Sequence, residues 1–316
     1  MAHYSGPAID THHHIWLRKD IPWLADPPIP RMYGDYFGLR RDYPVEEWMN
    51  DIAPQNVVKS VHITAMWGVA RALDETRWLQ VTADRHGFPH GIVCQAEMTD
   101  PDLDAKLKAQ KQFPNLRGVR HQLHWDSHPL RQPNPTPDLC NRPDFRRGFA
   151  LLEKYGLHFE LQVFAGQAQY AVDLIKAFPN VPMILLHSGM LTDRAPLMIE
   201  QWRKALTAMA AFPNVHVKLS GLGMFQPGHY RAAGAPGDPR FDPDIRHRAH
   251  DLRQQFSARE AARQLRGFLR GLSQGDVGIP RGRPAQSLSR QCGEVLQTVV
   301  IPGRAEGANP ESRCIG

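Results

Sequence analysis

The stretch AFPNVPMILLHSGM (residues 177–190) changes from a helical pattern to a strand pattern within four residues. Pro and Asn interrupt the helical spacing, and the apolar run that follows is typical of a buried strand. The same FPN junction occurs at residues 113–115 and 212–214. Three helix-to-strand junctions this short indicate stacked β-α units and therefore a parallel sheet.

Seven apolar runs in the first 220 residues are predicted to be strands. They are rich in Val, Ile, Leu and Phe, as strands buried on both faces of a parallel sheet tend to be. Helical patterns lie between them, for example at residues 143–156, where Gly156 is a suitable stop, and at about 194–211. The predicted strands are residues 8–13, 57–64, 91–96, 116–123, 158–164, 183–187 and 215–219.

Seven such units predict an α/β fold, a (β/α)8 TIM barrel whose active site lies at the carboxyl ends of the strands. The alternative is a doubly wound open sheet, which usually carries a glycine-rich phosphate turn after its first strand. The corresponding stretch in this sequence, DTHHHIW (residues 10–16), contains no glycine. The barrel is therefore the preferred prediction.

The first predicted strand carries three consecutive histidines in AIDTHHHIWL (residues 8–17). Strand residues alternate between faces, so His12 and His14 are expected on one face and His13 on the other. Two imidazoles on one face can hold a divalent ion, because imidazole is a common ligand for such metals. The alternatives are a purification tag, surface histidines and satisfied core histidines.

Polar residues also end the later strands, and four of the seven strands end in this way. A single strand-end His or Lys is more often a solvated rim residue, but a set of them can form a site. Histidines suit a divalent ion, and Arg and Lys suit an anionic substrate. The strand-end residues are His12, His14, Arg120, His121, His124, His187, Lys218 and Ser220, and Gln162 lies within strand five.

The motifs AIDTHHHIWL, RGVRHQLHW, LLHSGM and PNVHVKLSGLGM together resemble the amidohydrolase-related family of metal-dependent TIM-barrel hydrolases. The most similar branch contains lactonases and the pyrone-dicarboxylate hydrolase. The resemblance implies a divalent ion, Zn or Mn, that is dispensable in some members. It further implies metal ligation by His12, His14 and His187, catalytic roles for His187 and Arg120, and substrate binding by Arg120, Lys218, His124 and Gln162.

The expected function is hydrolysis of a small carbonyl substrate, most simply a lactone that carries a carboxylate. The alternatives are a decarboxylase of the same superfamily and an inactive remnant. The expected partner is a small molecule, with no nucleic acid and no membrane. The protein is expected to be cytoplasmic, because no secretion signal is recognised and the cysteines at 94, 140, 292 and 314 are scattered.

The composition changes near residue 245. From Arg246 onward the chain has twelve Arg, no Lys and six acidic residues, which leaves 26 basic and 26 acidic residues upstream. The net charge of +6 therefore belongs to the tail. We expect a barrel at residues 1–244, with its eighth β/α unit missing or corrupted, and an Arg-rich, poorly ordered tail at residues 245–316.

The eighth strand of the family ends in a motif resembling Ser-Asp-Trp-Pro, whose Asp is the general base in many members. No such motif follows Met224, and Asp242 and Asp244 lack a strand pattern around them. Residues 290–298, RQCGEVLQT, can be encoded by codons that give Asp-Asn-Ala-Ala-Lys-Phe-Tyr-Arg when read one nucleotide later, which resembles the family's closing motif. A change of reading frame between about residues 228 and 259 is the resulting hypothesis. The rival hypothesis is a basic amphipathic helix around Leu265–Leu272 that binds a membrane surface or nucleic acid.

Overall fold

A computed structural model describes residues 7–34, 36–193, 195–218, 220–221 and 224–225. All seven predicted strands are present, six of them one or two residues shorter than predicted, and they form one parallel sheet in the order β1 to β7. The strands are β1 Ala8–His13, β2 Val57–Ile63, β3 Gly91–Gln95, β4 Leu116–Gln122, β5 His158–Gln162, β6 Met183–Leu185 and β7 Val215–Val217.

The sheet is curled rather than flat. Each strand pairs with the next in sequence, without the reversal of strand order that marks a doubly wound sheet. In a flat sheet, β1 and β6 would lie about 24 Å apart at a strand spacing of about 4.8 Å. The ring centroids of His12 on β1 and His187 after β6 are instead only 4.9 Å apart. The barrel prediction is confirmed through the seventh strand, whereas the predicted defect in the eighth unit and the Arg-rich tail lie outside the described residues.

Seven α-helices connect or flank the strands in the described part of the chain. Helix α5 shows how the sequence sets both ends of a helix. Pro143 occupies its first turn, and Gly156, with a φ of +61°, ends it. The helices are α1 Pro22–Ala25, α2 Val45–Ile52, α3 Ala72–His86, α4 Leu103–Gln110, α5 Pro143–Tyr155, α6 Ala168–Ala177 and α7 Pro196–Ala210.

The sequence predicts that Leu197, Trp202, Leu206 and Met209 lie along one face of α7, and for Leu197 this prediction is wrong. Trp202 and Met209 are buried as expected, and Leu206 packs against the core. Leu197, expected on the same face, is 63% exposed. Leu197 and Trp202 are five positions apart. On a helix of 3.6 residues per turn, their side chains therefore point about 140° apart.

The main core lies between the sheet and helices α4 to α7. Phe145 and Phe149 from α5 and Phe159 from β5 are fully buried, and the Phe149 and Phe159 rings lie 4.9 Å apart. Burial of each such side chain stabilises the fold by about 1.5–3 kcal/mol. Cys94 and Cys140 are buried free thiols. None of the described helices has the length and apolar character needed to cross a membrane.

A buried carboxyl group makes stability depend on pH. Burial raises the pKa of Glu75 to about 7, although Thr64 Oγ1 and the Ala65 backbone N–H donate hydrogen bonds to it. The folded state therefore holds a proton that the unfolded chain, in which a glutamate has its ordinary pKa of 4.5, has already released. Stability from this group is present below pH 4.5 and is lost as pH rises through about 7.

The expected loss between pH 4.5 and 7.5 is on the order of 3 kcal/mol in the free energy of unfolding. Chemical denaturation at several pH values measures it, and Glu75→Gln is the control because it cannot titrate. As pH rises, the free energy of unfolding of the wild type should fall relative to that of the variant. A difference that is constant over this range would refute the assignment.

Candidate active site

The carboxyl end of β1 brings two imidazole nitrogens together. Nε2 of His12 and Nε2 of His14 are 3.3 Å apart. Nδ1 of His14 lies 2.6 Å from the Ile63 carbonyl oxygen, and because a carbonyl can only accept, this nitrogen carries the proton. The lone pair on Nε2 of His14 therefore faces His12. A backbone carbonyl that fixes the tautomer in this way is the usual outer partner of a metal-binding histidine.

His13 lies on the opposite side of β1. Its ring stacks on Trp48 of α2, with ring centroids 4.1 Å apart and an interplanar angle of 19°. His12 and His14 instead meet each other edge to face at 5.1 Å. The side-chain alternation expected from the strand therefore holds for these residues, despite a register irregularity in the pairing of β1 with β2.

His187 is held by an unusual turn directly after β6. His187 and Ser188 have φ values of +53° and +52°, a left-handed conformation that non-glycine residues adopt at a cost of about 1–3 kcal/mol each. Nδ1 of His187 lies 3.0 Å from Ser220 Oγ. Gly221 permits this approach, because a Cβ atom at position 221 would come within 2.6 Å of the His187 Cβ. Backbone strain of this kind clusters at active sites and ligand-binding sites.

Arg120, at the end of β4, is a buried cation without a carboxylate partner in the described part of the chain. Its side chain is 7% exposed. Nη2 and Nε donate to Gln162 Oε1 at 2.7 Å and 3.2 Å, so the guanidinium group is oriented by a neutral amide. The guanidinium also lines a cavity of about 170 Å³. Gln162 therefore fixes the orientation of the guanidinium group of a residue that lines this cavity.

Lys218, directly after β7, is tied to an acidic residue that the sequence analysis did not single out. Nζ of Lys218 donates to Glu160 Oε1 at 2.6 Å, and Nε2 of His158 lies 3.2 Å from the same oxygen. Glu160 is fully buried on β5. The available signal was its position inside the apolar run HFELQ, because a carboxylate is almost never fully buried unless it is paired.

The imidazoles of the site are neutral at pH 7. Burial lowers the pKa of His187 to about 3, and the neighbouring cations Arg120 and Lys218 lower it further. Burial also holds the pKa values of His12 and His14 well below their usual range, with Lys218 and His62, respectively, as the next causes. Neutral imidazole is the form that binds metal ions.

The histidine pair fits a metal ion in part. Two nitrogens that ligate one ion at about 2.0–2.1 Å in tetrahedral geometry stand about 3.3–3.4 Å apart. The separation of the His12 and His14 Nε2 atoms matches this value. No three His, Cys, Asp or Glu side chains are arranged to hold an ion within the described residues. The predicted third ligand, His187, stands beside His12 with one ring nitrogen directed to Ser220.

The other predicted substrate-binding residues also lie at this end of the barrel. His124 is buried against the Phe164 ring, and burial lowers its pKa to about 4, with the charge of Arg120 as the next cause. Sequence reasoning missed Gln95, which pairs with Arg120 in the ladder between β3 and β4 and lines the same cavity. Its position inside the apolar strand GIVCQ was the available signal.

Comparison with known proteins identifies the family of the chain. Residues 9–264 match the model of the Amidohydrolase family. The chain is 38% identical to the uncharacterized protein y4mH of Sinorhizobium fredii over 218 residues, which cover 68% of this chain and 73% of that protein. It is 29% identical to an L-fucono-1,5-lactonase of Burkholderia multivorans over 221 residues, which cover 68% of each chain.

A solved structure shows the same fold. An amidohydrolase from Burkholderia multivorans, crystallised with bound zinc, superposes with a TM-score of 0.56 and 26% sequence identity, over 81% of this chain and 78% of that chain. Its likeness extends the agreement from the sequence motifs to the order and curvature of the sheet. The chain therefore belongs to the amidohydrolase family of hydrolases.

Proposed function

We propose that this site hydrolyses a small lactone that carries a carboxylate group. The observation that carries the proposal is the buried guanidinium of Arg120, which has no ion-pair partner among the described residues. A buried charge is costly unless it is paired. A carboxylate on the substrate supplies the missing partner, and its two oxygens match the donor geometry of a guanidinium group.

The histidines place a reacting carbonyl group beside this anchor. The water oxygen bonds to the lactone carbonyl carbon, the ring C–O bond breaks, and the proton released by water ends on the departing alkoxide oxygen. The neutral imidazole of His187, oriented by Ser220, is proposed to hydrogen-bond the lactone carbonyl oxygen. His124, Gln162 and Lys218 line the substrate-binding side of the site.

A divalent ion, Zn or Mn, is part of the proposal but is not required by every step. His12 and His14 would hold the ion, with His187 adjacent. When bound, such an ion polarises a carbonyl group and lowers the pKa of a water molecule. The neutral imidazole of His187 can donate a hydrogen bond to the carbonyl oxygen without it, so we propose that the ion accelerates the reaction and is dispensable for binding.

The names of related proteins support a lactone as substrate. Two relatives that cover about two thirds of this chain are L-fucono-1,5-lactonases of Burkholderia species. The proposal involves a small molecule as the only partner, with no role for nucleic acid or a membrane.

A panel of five- and six-membered lactones, with and without a carboxylate, tests the reaction type. Hydrolysis releases acid without gas, which a pH indicator detects. Release of carbon dioxide from an aromatic or unsaturated carboxylic acid, with no lactone opened, would instead establish a decarboxylase. Turnover of neither class by a chain with the corrected reading frame, at high protein concentration, would contradict the proposal.

Arg120→Lys is expected to raise the KM for a carboxylate-bearing lactone by about 10-fold or more. The variant keeps the charge but loses one of two parallel hydrogen bonds, each worth about 1.5–3 kcal/mol when it involves a charged group. Steady-state kinetics measures the effect, and a lactone without the carboxylate serves as control. An unchanged KM for the carboxylate-bearing lactone would place the anion site elsewhere.

A further inference from the structure

The two fully desolvated cations of the site differ in how their charges are balanced. Among the described residues, Arg120 and Lys218 are the buried Arg and Lys side chains. Lys218 is bonded to Glu160 at 2.6 Å, whereas Arg120 is bonded only to the neutral amide of Gln162. Glu160 therefore neutralises Lys218 by direct contact, whereas no carboxylate of the described residues lies within ion-pair distance of Arg120, and Glu160 and Glu75 act on its charge only at longer range.

We infer that Glu160 is a positioning residue that withdraws Lys218 from anion recognition, so that the site accepts substrates with a single carboxylate and rejects dicarboxylates. This inference rests on the proposed function for the reaction, but it concerns which acid the site selects. Arg120 binds the one carboxylate. A second carboxylate that reached Lys218 would meet an ammonium group already paired with Glu160.

Glu160 is built into the barrel interior and cannot turn away to release Lys218. The residue is fully buried, and Oε1 is held by both Lys218 and His158. Interaction with Lys218 and His158 outweighs the effect of burial and lowers the pKa of Glu160 to about 2, so the carboxylate keeps its charge. A second anion near Lys218 would therefore face a fixed negative charge in a medium of low dielectric constant.

The sequence makes space for this network. Gly118 on β4 is the register partner of His158 on β5. A Cβ atom at position 118 would lie 2.4 Å from the His158 ring, so only glycine allows the imidazole to lie across β4 and reach Glu160. His158 and Lys218 thus both contact Oε1 of Glu160, which fixes the position of Nζ.

Lys218 keeps a function in this arrangement. An ammonium group has three N–H donors, and Glu160 accepts one of them in the described contacts. The remaining donors suit a neutral oxygen, such as a hydroxyl or the lactone carbonyl. The predicted substrate therefore presents one carboxylate to Arg120 and uncharged oxygens to Lys218.

Binding of matched product-like acids tests the inference without relying on turnover. The probes are 5-hydroxypentanoate and glutarate, five-carbon acids that differ in one terminal group, a hydroxymethyl against a second carboxylate. Titration calorimetry with the full chain should show binding of 5-hydroxypentanoate at least about tenfold tighter than that of glutarate. Equal affinity, or tighter binding of glutarate, would overturn the inference even if lactone hydrolysis were demonstrated.

Glu160→Gln is the decisive variant. It frees the charge of Lys218 while preserving side-chain shape, so the ratio of the affinity for glutarate to that for 5-hydroxypentanoate should rise about tenfold. A merely structural role would lower both affinities together, and this result would refute the proposed role of Glu160. If the variant does not fold, as judged by circular dichroism, the wild-type comparison still decides. Preference for the monocarboxylate in a protein that opens no lactone would refute the proposed reaction alone.

Discussion

His12→Ala and His14→Ala are each expected to weaken zinc binding and to lower lactone hydrolysis by about 100-fold or more. Mutation of a residue that hydrogen-bonds a metal ligand typically lowers metal affinity or activity 10- to 100-fold, and these two residues are proposed as the ligands themselves. The two Nε2 atoms stand 3.3 Å apart, so removal of either ring destroys the convergent pair. Zinc binding is measured by calorimetry, and hydrolysis is measured separately.

The neighbouring histidine provides a matched control. His13→Ala removes a buried imidazole of the same strand, but this ring stacks on Trp48 and faces away from the pair. The variant should lose about 0.5–1.5 kcal/mol of stability for the ring contact and should bind zinc with unchanged affinity. Equal loss of zinc binding in all three variants would indicate a general effect on folding and would contradict a site built on His12 and His14.

A chain with a corrected reading frame is expected to hydrolyse lactones about 10²–10⁴ times faster than the present 316-residue chain. The correction is a one-nucleotide shift between the codons for residues 228 and 259. The corrected frame should restore the general base that the family resemblance places at the end of strand eight. A positioned proton acceptor typically contributes about 10²–10⁴ in rate. Among the described strands, β1 and β7 each pair on one side only, so the corrected chain should also be more soluble.

Two observations can contradict this prediction. The nucleotide sequence itself must contain, in the shifted frame, a Ser-Asp or Ser-Asn strand-end motif and a closing motif rich in Asn and Ala. Comparable and robust rates from the two chains would show that a residue already present acts as the base. The rival hypothesis, a basic helix in the tail, predicts instead a salt-sensitive interaction with duplex DNA or anionic vesicles that deletion of the tail abolishes.

Strand positions were predictable because each strand is a short apolar run bounded by recognisable junctions. The FPN stretch before β6 is an example, since Pro and Asn end α6 and the strand begins at Met183. The opposite directions of His12 and His13 followed from the alternation of side chains along a strand. The approach of His187 to His12 followed only from the barrel, because the two residues are far apart in sequence.

Other features of the site depended on contacts that a single sequence does not reveal. Glu160 was missed because its importance lies in a bond to Lys218, 58 residues away. The left-handed turn at His187 was missed because histidine does not signal positive φ as glycine does. The contact between His187 Nδ1 and Ser220 Oγ was missed for a similar reason, because it joins residues that follow two different strands. Ligation of a metal ion by all three histidines stays a prediction.

The central claim is that Arg120 selects a carboxylate-bearing lactone for hydrolysis at the neighbouring histidines. The most direct test is the ratio of kcat/KM for two δ-lactones that differ only in a carboxylate, measured with both the present and the frame-corrected chain. The account predicts a preference of at least about tenfold for the carboxylate-bearing lactone, which Arg120→Lys reduces. A preference for the uncharged lactone that is unaffected by this substitution would contradict it.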